Sequence, residues 1–310
     1  MNNSKDNFYS SKNIAAAVIV SGLYLLVSHF LIGYKNDQLF LVVLFNACFF
    51  INGTSRKVIL GFSIFIIYWI IFDYMKAFPN YTFNTVHIED LYNAEKSLFG
   101  IVADGKKLTP NEYWQHNTAD FLDIMSGIFY LCWIPVPLAF AGYLFYTDRA
   151  LFLWFSCTFV LVNFIGFVGY YIYPAAPPWY VQQYGMGFIA NTPGNTAGLA
   201  RFDAYFGIHV FKGLYAKSSN VFAAMPSLHS SYPLIVLYYG IKKRLGWINI
   251  PFAIIMVGIW FAAVYSSHHY VLDVIAGIIS AMLGIFIFKN LFMKSKLFGR
   301  FFNYMLLKIS

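Results

Sequence analysis

The sequence predicts an all-α, polytopic helical membrane protein with about eight transmembrane helices, within a range of six to eight. Interfacial helices are expected between the third and fourth spans. Three observations carry that prediction. Of the 310 residues, 59% are hydrophobic and only 11% are charged, against roughly 25% charged in an ordinary soluble domain. Long apolar runs recur at a length that crosses a bilayer, about 20 residues as a helix. The basic residues behind the net charge of +8 sit in short loops between those runs, which argues against a nucleic-acid surface.

The expected spans are 13–34, 38–53, 57–75, 124–146, 151–173, 226–242, 248–267 and 270–289, the second being short. The first follows a polar head without a small-residue cleavage site and reads as a retained helix. Cys48, Cys132 and Cys157 all fall inside apolar runs and read as packing residues. The polar stretch 76–123 contains "HIEDLYNAEKSLFG", with Ile88, Leu91, Tyr92, Leu98 and Phe99 at helical spacing. That pattern predicts a helix lying on the membrane surface. Thr109, Pro110 and Glu112 form a capping box that opens a second short helix. The stretch 174–225, rich in Pro, Gly, Asn and Ala, reads as a long functional loop with short helices. The expected organisation is N-terminal transmembrane helices over 1–75, extracytoplasmic interfacial helices over 76–123, a catalytic helical core over 124–290 and a basic cytoplasmic tail over 291–310.

Sidedness follows from charge. With eight spans, 13 of the 21 Lys and Arg fall on the side of the N-terminus and 8 on the other, although the latter holds the two longest loops. Basic short loops favour the cytoplasm. Both termini are therefore expected inside, and 76–123, 174–225 and "SSHHYVLD" (266–273) on the extracytoplasmic face.

That alternation brings His229, in "MPSLHSSYP", to the same face as His268 and His269. Ionisable groups at the mouth of a membrane helix are costly and point to function. On a helix, His269 and Asp273 share a face at i,i+4, whereas His268 does not. Asp273 is then placed to fix the tautomer of His269 and leave its other nitrogen nucleophilic. Pro226 is expected in the first turn of the next helix. Ser227 and His229 would share that turn, where free N–H groups favour a phosphate. His229 is suited to general acid–base work. No H-x-x-x-H or HExxH pattern occurs, so neither a metal site nor a cofactor is expected. His29 reads as a residue that hydrogen-bonds across a helix interface, and His87, His116 and His209 read as surface residues.

These residues resemble the phosphatidic acid phosphatase type 2 superfamily, whose motifs are K-x6-R-P, P-S-G-H and S-R-x5-H-x3-D. "PSLH" (226–229) matches the second, with Leu228 for Gly, and His269-x3-Asp273 ends the third. Ala262 and Ala263 stand where Ser-Arg is expected, and no K-x6-R-P precedes "PSLH". Both departures are similar to the inositol phosphorylceramide synthase branch. Its motifs "YPxAPPW" and "YSxHHYxxD" occur at Tyr173–Trp179 and Tyr265–Asp273, and "GLARFD" (Gly198–Asp203) also looks like that branch. The likeness covers roughly residues 87–280.

The resemblance implies a phosphotransferase in which His269 forms a phosphohistidine, Asp273 orients it and His229 is general acid and base. Phosphoinositol would pass from phosphatidylinositol to a ceramide-like lipid, releasing diacylglycerol, with both lipids drawn from the membrane. Arg201 is the expected phosphate-binding cation, with Ser227, Lys212 and Lys217 as further candidates. Tyr173, Pro177, Trp179, His268 and Tyr270 are the expected substrate pocket. Two other functions use the same residues: a lipid phosphate phosphatase acting on phosphatidic acid or an isoprenoid pyrophosphate, and a proton-coupled transporter.

Overall fold

The computed structural model describes residues 9–216 and 220–310. Of the basic residues above, Lys5 and Lys217 lie outside the described residues. The chain divides into two compact units, one comprising the residues up to Phe78 with Arg300–Ser310, the other Pro79–Gly299.

The first unit is built from α1 (Ser11–Ile32), α2 (Asn36–Ile51) and α3 (Gly53–Tyr74). Short polar linkers turn the chain between them. Ser10 caps α1 through the Asn13 N–H, and Asn52 and Ser55 cap α3 reciprocally. Polar side chains stitch the helices together, Ser28 to the Tyr74 hydroxyl at 2.9 Å and Asn46 to Ser21 at 2.9 Å. His29 does not make the cross-helix bond expected of it. Its side chain is exposed, and Ser28, one residue earlier, faces the neighbouring helix instead.

The second unit contains the expected short helices and most of the remaining apolar ones. α4 (Glu89–Phe99) leads through a two-stranded hairpin, β1 (Ile101–Ala103) and β2 (Lys106–Leu108), into α5 (Pro110–His116). The capping box at Thr109 forms as expected, with Glu112 bonding back to the Thr109 N–H. α4 forms where the helical spacing places it, with part of its apolar stripe packed inward. Ile88, Leu91 and the carboxylate-bearing Glu95 are all buried. Of the helical stripe, Ile88 and Leu91 are covered by protein, whereas Leu98 stays exposed.

The span expected at 124–146 is two helices, α6 (Asp120–Leu131) and α7 (Pro135–Thr147), broken over Cys132–Ile134. Pro135 has no N–H to give Leu131, so the helix restarts at the proline. α8 (Arg149–Ile172) follows. Then come α9 (Pro178–Tyr184), α10 (Ala200–Phe206) and α11 (Val210–Tyr215) in the long loop. The stretch Pro174–Tyr180 is buried throughout. Its backbone joins a small ladder in which His87 N–H meets Pro174 C=O at 2.8 Å and Ala175 N–H meets Phe222 C=O at 2.9 Å.

α12 (Leu228–Lys242), α13 (Asn249–Tyr265) and α14 (Val271–Ile287) complete the core, α14 widening at Phe288–Phe292, and α15 (Lys296–Ile309) follows. α12 begins two residues later than expected. Pro226 lies outside it and Ser227 is its extended N-cap, with the Ser227 N–H spent on the Asp273 carbonyl at 2.9 Å.

Among the described residues, six helical stretches are long and apolar enough to cross a membrane: Ser11–Ile32, Gly53–Ala77, Asp120–Thr147, Arg149–Ile172, Gly246–Tyr265 and Val271–Phe292. α2 and α12 are shorter. Large apolar side chains such as Val18, Phe30, Val168, Ile254 and Phe286 point outward from these helices. Only lipid satisfies that arrangement, and the chain is an integral membrane protein.

α12 and α14 meet at Gly277, where any Cβ would run into the Ser227 backbone carbonyl. Backbone cannot swing aside as a side chain does. Gly277→Ala is therefore expected to destabilise the protein by about 1–3 kcal/mol, read as a lowered thermal transition of the detergent-solubilised protein.

Candidate active site

The turn from Ala262 to Asp273 is the centre of the site. α13 ends in a Schellman motif with Ser267 at φ 60°, the His268 N–H bonding Ala263 C=O and the Ser267 N–H bonding Val264 C=O. The His269 N–H shares the Ala263 carbonyl at 3.0 Å. Other segments hold the turn from outside. Asn111 donates to the carbonyls of Val264 and His269 at 2.8 and 2.9 Å. The N–H groups of Gly198 and Trp179 reach the carbonyls of Ser266 and Ser267. At the start of α14, Asp273 Oδ2 accepts the Tyr270 N–H at 2.9 Å, and Glu95 accepts the N–H groups of Val271 and Leu272 at 2.9 and 3.1 Å.

The predicted trio comes together here. His269 Nε2 lies 3.1 Å from His229 Nδ1, and His269 Nδ1 lies 3.5 Å from Asp273 Oδ2. The second contact is a close approach of carboxylate and neutral imidazole, not a formed hydrogen bond. His269 also precedes the helix it was expected to share with Asp273. The two side chains meet because Tyr270 is an extended N-cap and α14 begins immediately after it. The carboxylate beside Nδ1 favours a proton there, which leaves Nε2 with its lone pair. His229 then donates from its own Nδ1. That nitrogen also contacts the Tyr130 hydroxyl at 3.1 Å, and the Trp133 ring stands edge-on to the imidazole at 4.5 Å. Burial pulls His269 down to about 4, partly offset by the Ala224 carbonyl, and holds His268 well below the usual imidazole range too. At neutral pH the His269 ring is uncharged.

The other expected residues are placed as follows. Arg201 Nε pairs with Asp123 at 2.6 Å, and its guanidinium lies 5.1 Å over the Tyr265 ring. Its buried Nη2 has no partner. Ser227 is fully buried, its Oγ bonded by Ser230 at 3.1 Å. The Lys212 side chain is exposed. His268 is stacked on Tyr215 at 4.3 Å, with its Nε2 at 3.0 Å from the Thr196 carbonyl. Tyr173 stacks on His87 at 3.7 Å. Pro177, Trp179 and Tyr270 are buried around the turn.

Sequence reasoning missed Glu95, Asn111, Asp123, Tyr130 and Trp133. For Glu95 a signal existed: it sits four residues after Leu91, on the apolar stripe of α4 and not opposite it. Its burial raises it to about 7, against the two N–H bonds that favour its charge. Asp123 gathers Arg201, and the Tyr265 hydroxyl at 2.8 Å, onto one oxygen.

A helical membrane core presenting paired histidines and an aspartate at a helix start defines a class of lipid phosphate enzyme. A family model described as the PAP2 superfamily matches residues 109–287, and the chain belongs to that superfamily. It is 43% identical to the phosphoinositol dihydroceramide synthase of Bacteroides thetaiotaomicron, over 95% of this chain and 97% of that protein. It is 30% identical to the inositol phosphorylceramide synthase catalytic subunit of Saccharomyces cerevisiae, over 52% of this chain and 41% of that one. With the inositol phosphorylceramide synthase of Candida albicans it shares 29% identity over 56% of this chain and 36% of that protein. No solved structure matches. The chain is a PAP2-type enzyme similar to these synthases.

The low value for His269 sets a pH expectation. A nucleophilic imidazole must be unprotonated, and its pKa is lowered from 6.5 to about 4. The acid limb of kcat/KM, which reports the free enzyme, is expected below pH 5. A limb near pH 6.5 in a steady-state pH profile would contradict the buried, neutral imidazole.

Proposed function

We propose that this enzyme transfers phosphoinositol from phosphatidylinositol to the primary hydroxyl of a ceramide-like lipid, through a phosphohistidine on His269. The single observation that carries the reading is the line His229–His269–Asp273, at 3.1 and 3.5 Å. The activity named for the bacterial relative, which matches along nearly the whole chain, supports the choice of substrates.

In this reading the donor's phosphate replaces the direct contact between the two imidazoles. His269 Nε2 attacks phosphorus, and the bond to the diacylglycerol oxygen breaks. His229, protonated beside the phosphodiester anion, gives that oxygen its proton. Asp273 closes on Nδ1 as positive charge grows on His269; such bonds are often long before substrate binds. In the second half His229 takes the proton of the acceptor hydroxyl, whose oxygen displaces His269 from phosphorus. The products are diacylglycerol and a phosphoinositol sphingolipid. Arg201 supplies charge to the phosphorus oxygens through Nη2, with Nε anchored on Asp123. Both termini would be cytoplasmic and the site extracytoplasmic, on the excess of basic residues on the terminal side.

Purified protein incubated with inositol-labelled donor and no acceptor is expected to retain label covalently. The adduct should survive base and be lost in acid. His269→Ala should abolish both adduct and product. His229→Ala should slow transfer by about 10²–10⁴-fold. Undiminished transfer by His269→Ala would overturn the mechanism.

A further inference from the structure

We propose that a small cavity beside the His269 turn, lined by both polar and apolar groups, holds the polyol ring of the donor head group. The inference rests on the donor being a phosphoinositol lipid. The cavity is about 160 Å³ and is bounded by α4, α5, α9 and the N-cap of α14. Its polar lining is formed by Tyr92, Thr109, Glu112, Gln182 and Tyr270, and its apolar lining by Pro178, Val181 and Met186, with Pro178, Val181 and Gln182 all on α9. Sites for drug-sized ligands run to ~300–1,000 Å³, so this one suits a single ring and excludes an acyl chain.

The polar lining has unspent hydrogen-bonding capacity. Tyr270 is 1% exposed, yet its buried hydroxyl has no partner. Buried polar groups are nearly always paired, and a hydroxyl-bearing ligand would pair this one. Glu112 takes one donor on each oxygen, the Tyr92 hydroxyl at 2.8 Å and the Thr109 N–H at 2.8 Å. Each oxygen keeps a second lone pair. Lys96 donates to the Tyr92 hydroxyl at 3.0 Å, which balances the carboxylate's charge through Tyr92. Gln182 donates to Ser267 Oγ at 3.1 Å, leaving its amide oxygen as an acceptor. Donors and acceptors interleaved with carbon surface in one small cavity match a ring with hydroxyls at its rim and C–H on its face.

The cavity is also tied to the reacting turn. Tyr270 follows His269 directly, and Gln182 is bonded two residues before it. Neither choline nor ethanolamine offers hydroxyls to these groups, and glycerol offers fewer than inositol.

The test is a donor-specific steady-state assay on the full-length protein in detergent micelles, with phosphatidylinositol varied against fixed ceramide and then the reverse. Tyr270→Phe removes only the hydroxyl, and Val181→Trp fills the cavity from α9. Each is expected to raise KM for phosphatidylinositol about tenfold or more. KM for ceramide should stay unchanged, and so should the size-exclusion profile. Gln182→Leu is expected to do the same, and serves if Val181→Trp does not fold. An unchanged donor KM in the folded variants, or a rise in the acceptor KM alone, overturns the head-group assignment while leaving transfer itself intact. A wild-type protein that does not turn over phosphatidylinositol overturns the donor reading beneath it.

Discussion

The site depends on a requirement imposed by burial: every backbone polar group of the turn between α13 and α14 must find a partner away from water. A helix end leaves carbonyls behind it and the next helix leaves N–H groups ahead of it. Here the two ends are separated by only five residues. An orphaned buried group costs roughly 1–3 kcal/mol, so the turn is stable only when other segments converge on it. Asn111, Glu95, Gly198, Trp179 and Ser227 each bring a different stretch of chain to it. Satisfying those groups is what gathers the loops before α6 and before α12 around His269.

Asp273 shows how closely fold and chemistry are joined. Its Oδ2 caps the Tyr270 N–H, its carbonyl takes the Ser227 N–H, and the same Oδ2 faces His269. The carbonyl contact fixes the start of α12 against α14, and His229 is two residues past Ser227. The spacing of the two imidazoles is thus set by a backbone bond between the helices that carry or flank them. Gly277 permits the approach, because a larger residue would meet Ser227.

Much of this was legible in the sequence, for physical reasons that differ by residue. Long apolar runs report spans directly, since length and composition are what a bilayer selects. The trio was legible because alternation of spans fixes which ends share a face. The partner of His269 was identified by helical spacing although His269 is not helical. An extended N-cap followed at once by a helix brings the side chains together as well. What stayed hidden were polar residues whose partners are backbone groups far along the chain. Glu95 reaches Val271 across 176 positions and Asn111 reaches His269 across 158. Nothing local to either residue names such a partner. Pro226 was misplaced for a related reason, because a long-range claim on the Ser227 N–H outweighed the preference of proline for a first turn.

The alanines at 262 and 263 pose the remaining electrostatic question, and packing gives an answer. Both are fully buried, and the Ala263 carbonyl receives two N–H groups where the chain reverses. A long cationic side chain from this position would have to displace Tyr130, Leu199 or Phe202, which share its apolar cluster. Positive charge for a phosphate therefore has to approach from a different element. In the proposed reaction that element is α10, where Arg201 stands one turn after Gly198, whose N–H is docked on Ser266. Gly198 is itself required there, because a side chain would press on the Ser266 backbone and on the Arg201 guanidinium. The departure at Ala262 and Ala263 and the segment "GLARFD" thus read as two sides of one rearrangement. The turn loses its own cation, and the loop that packs on it carries one in.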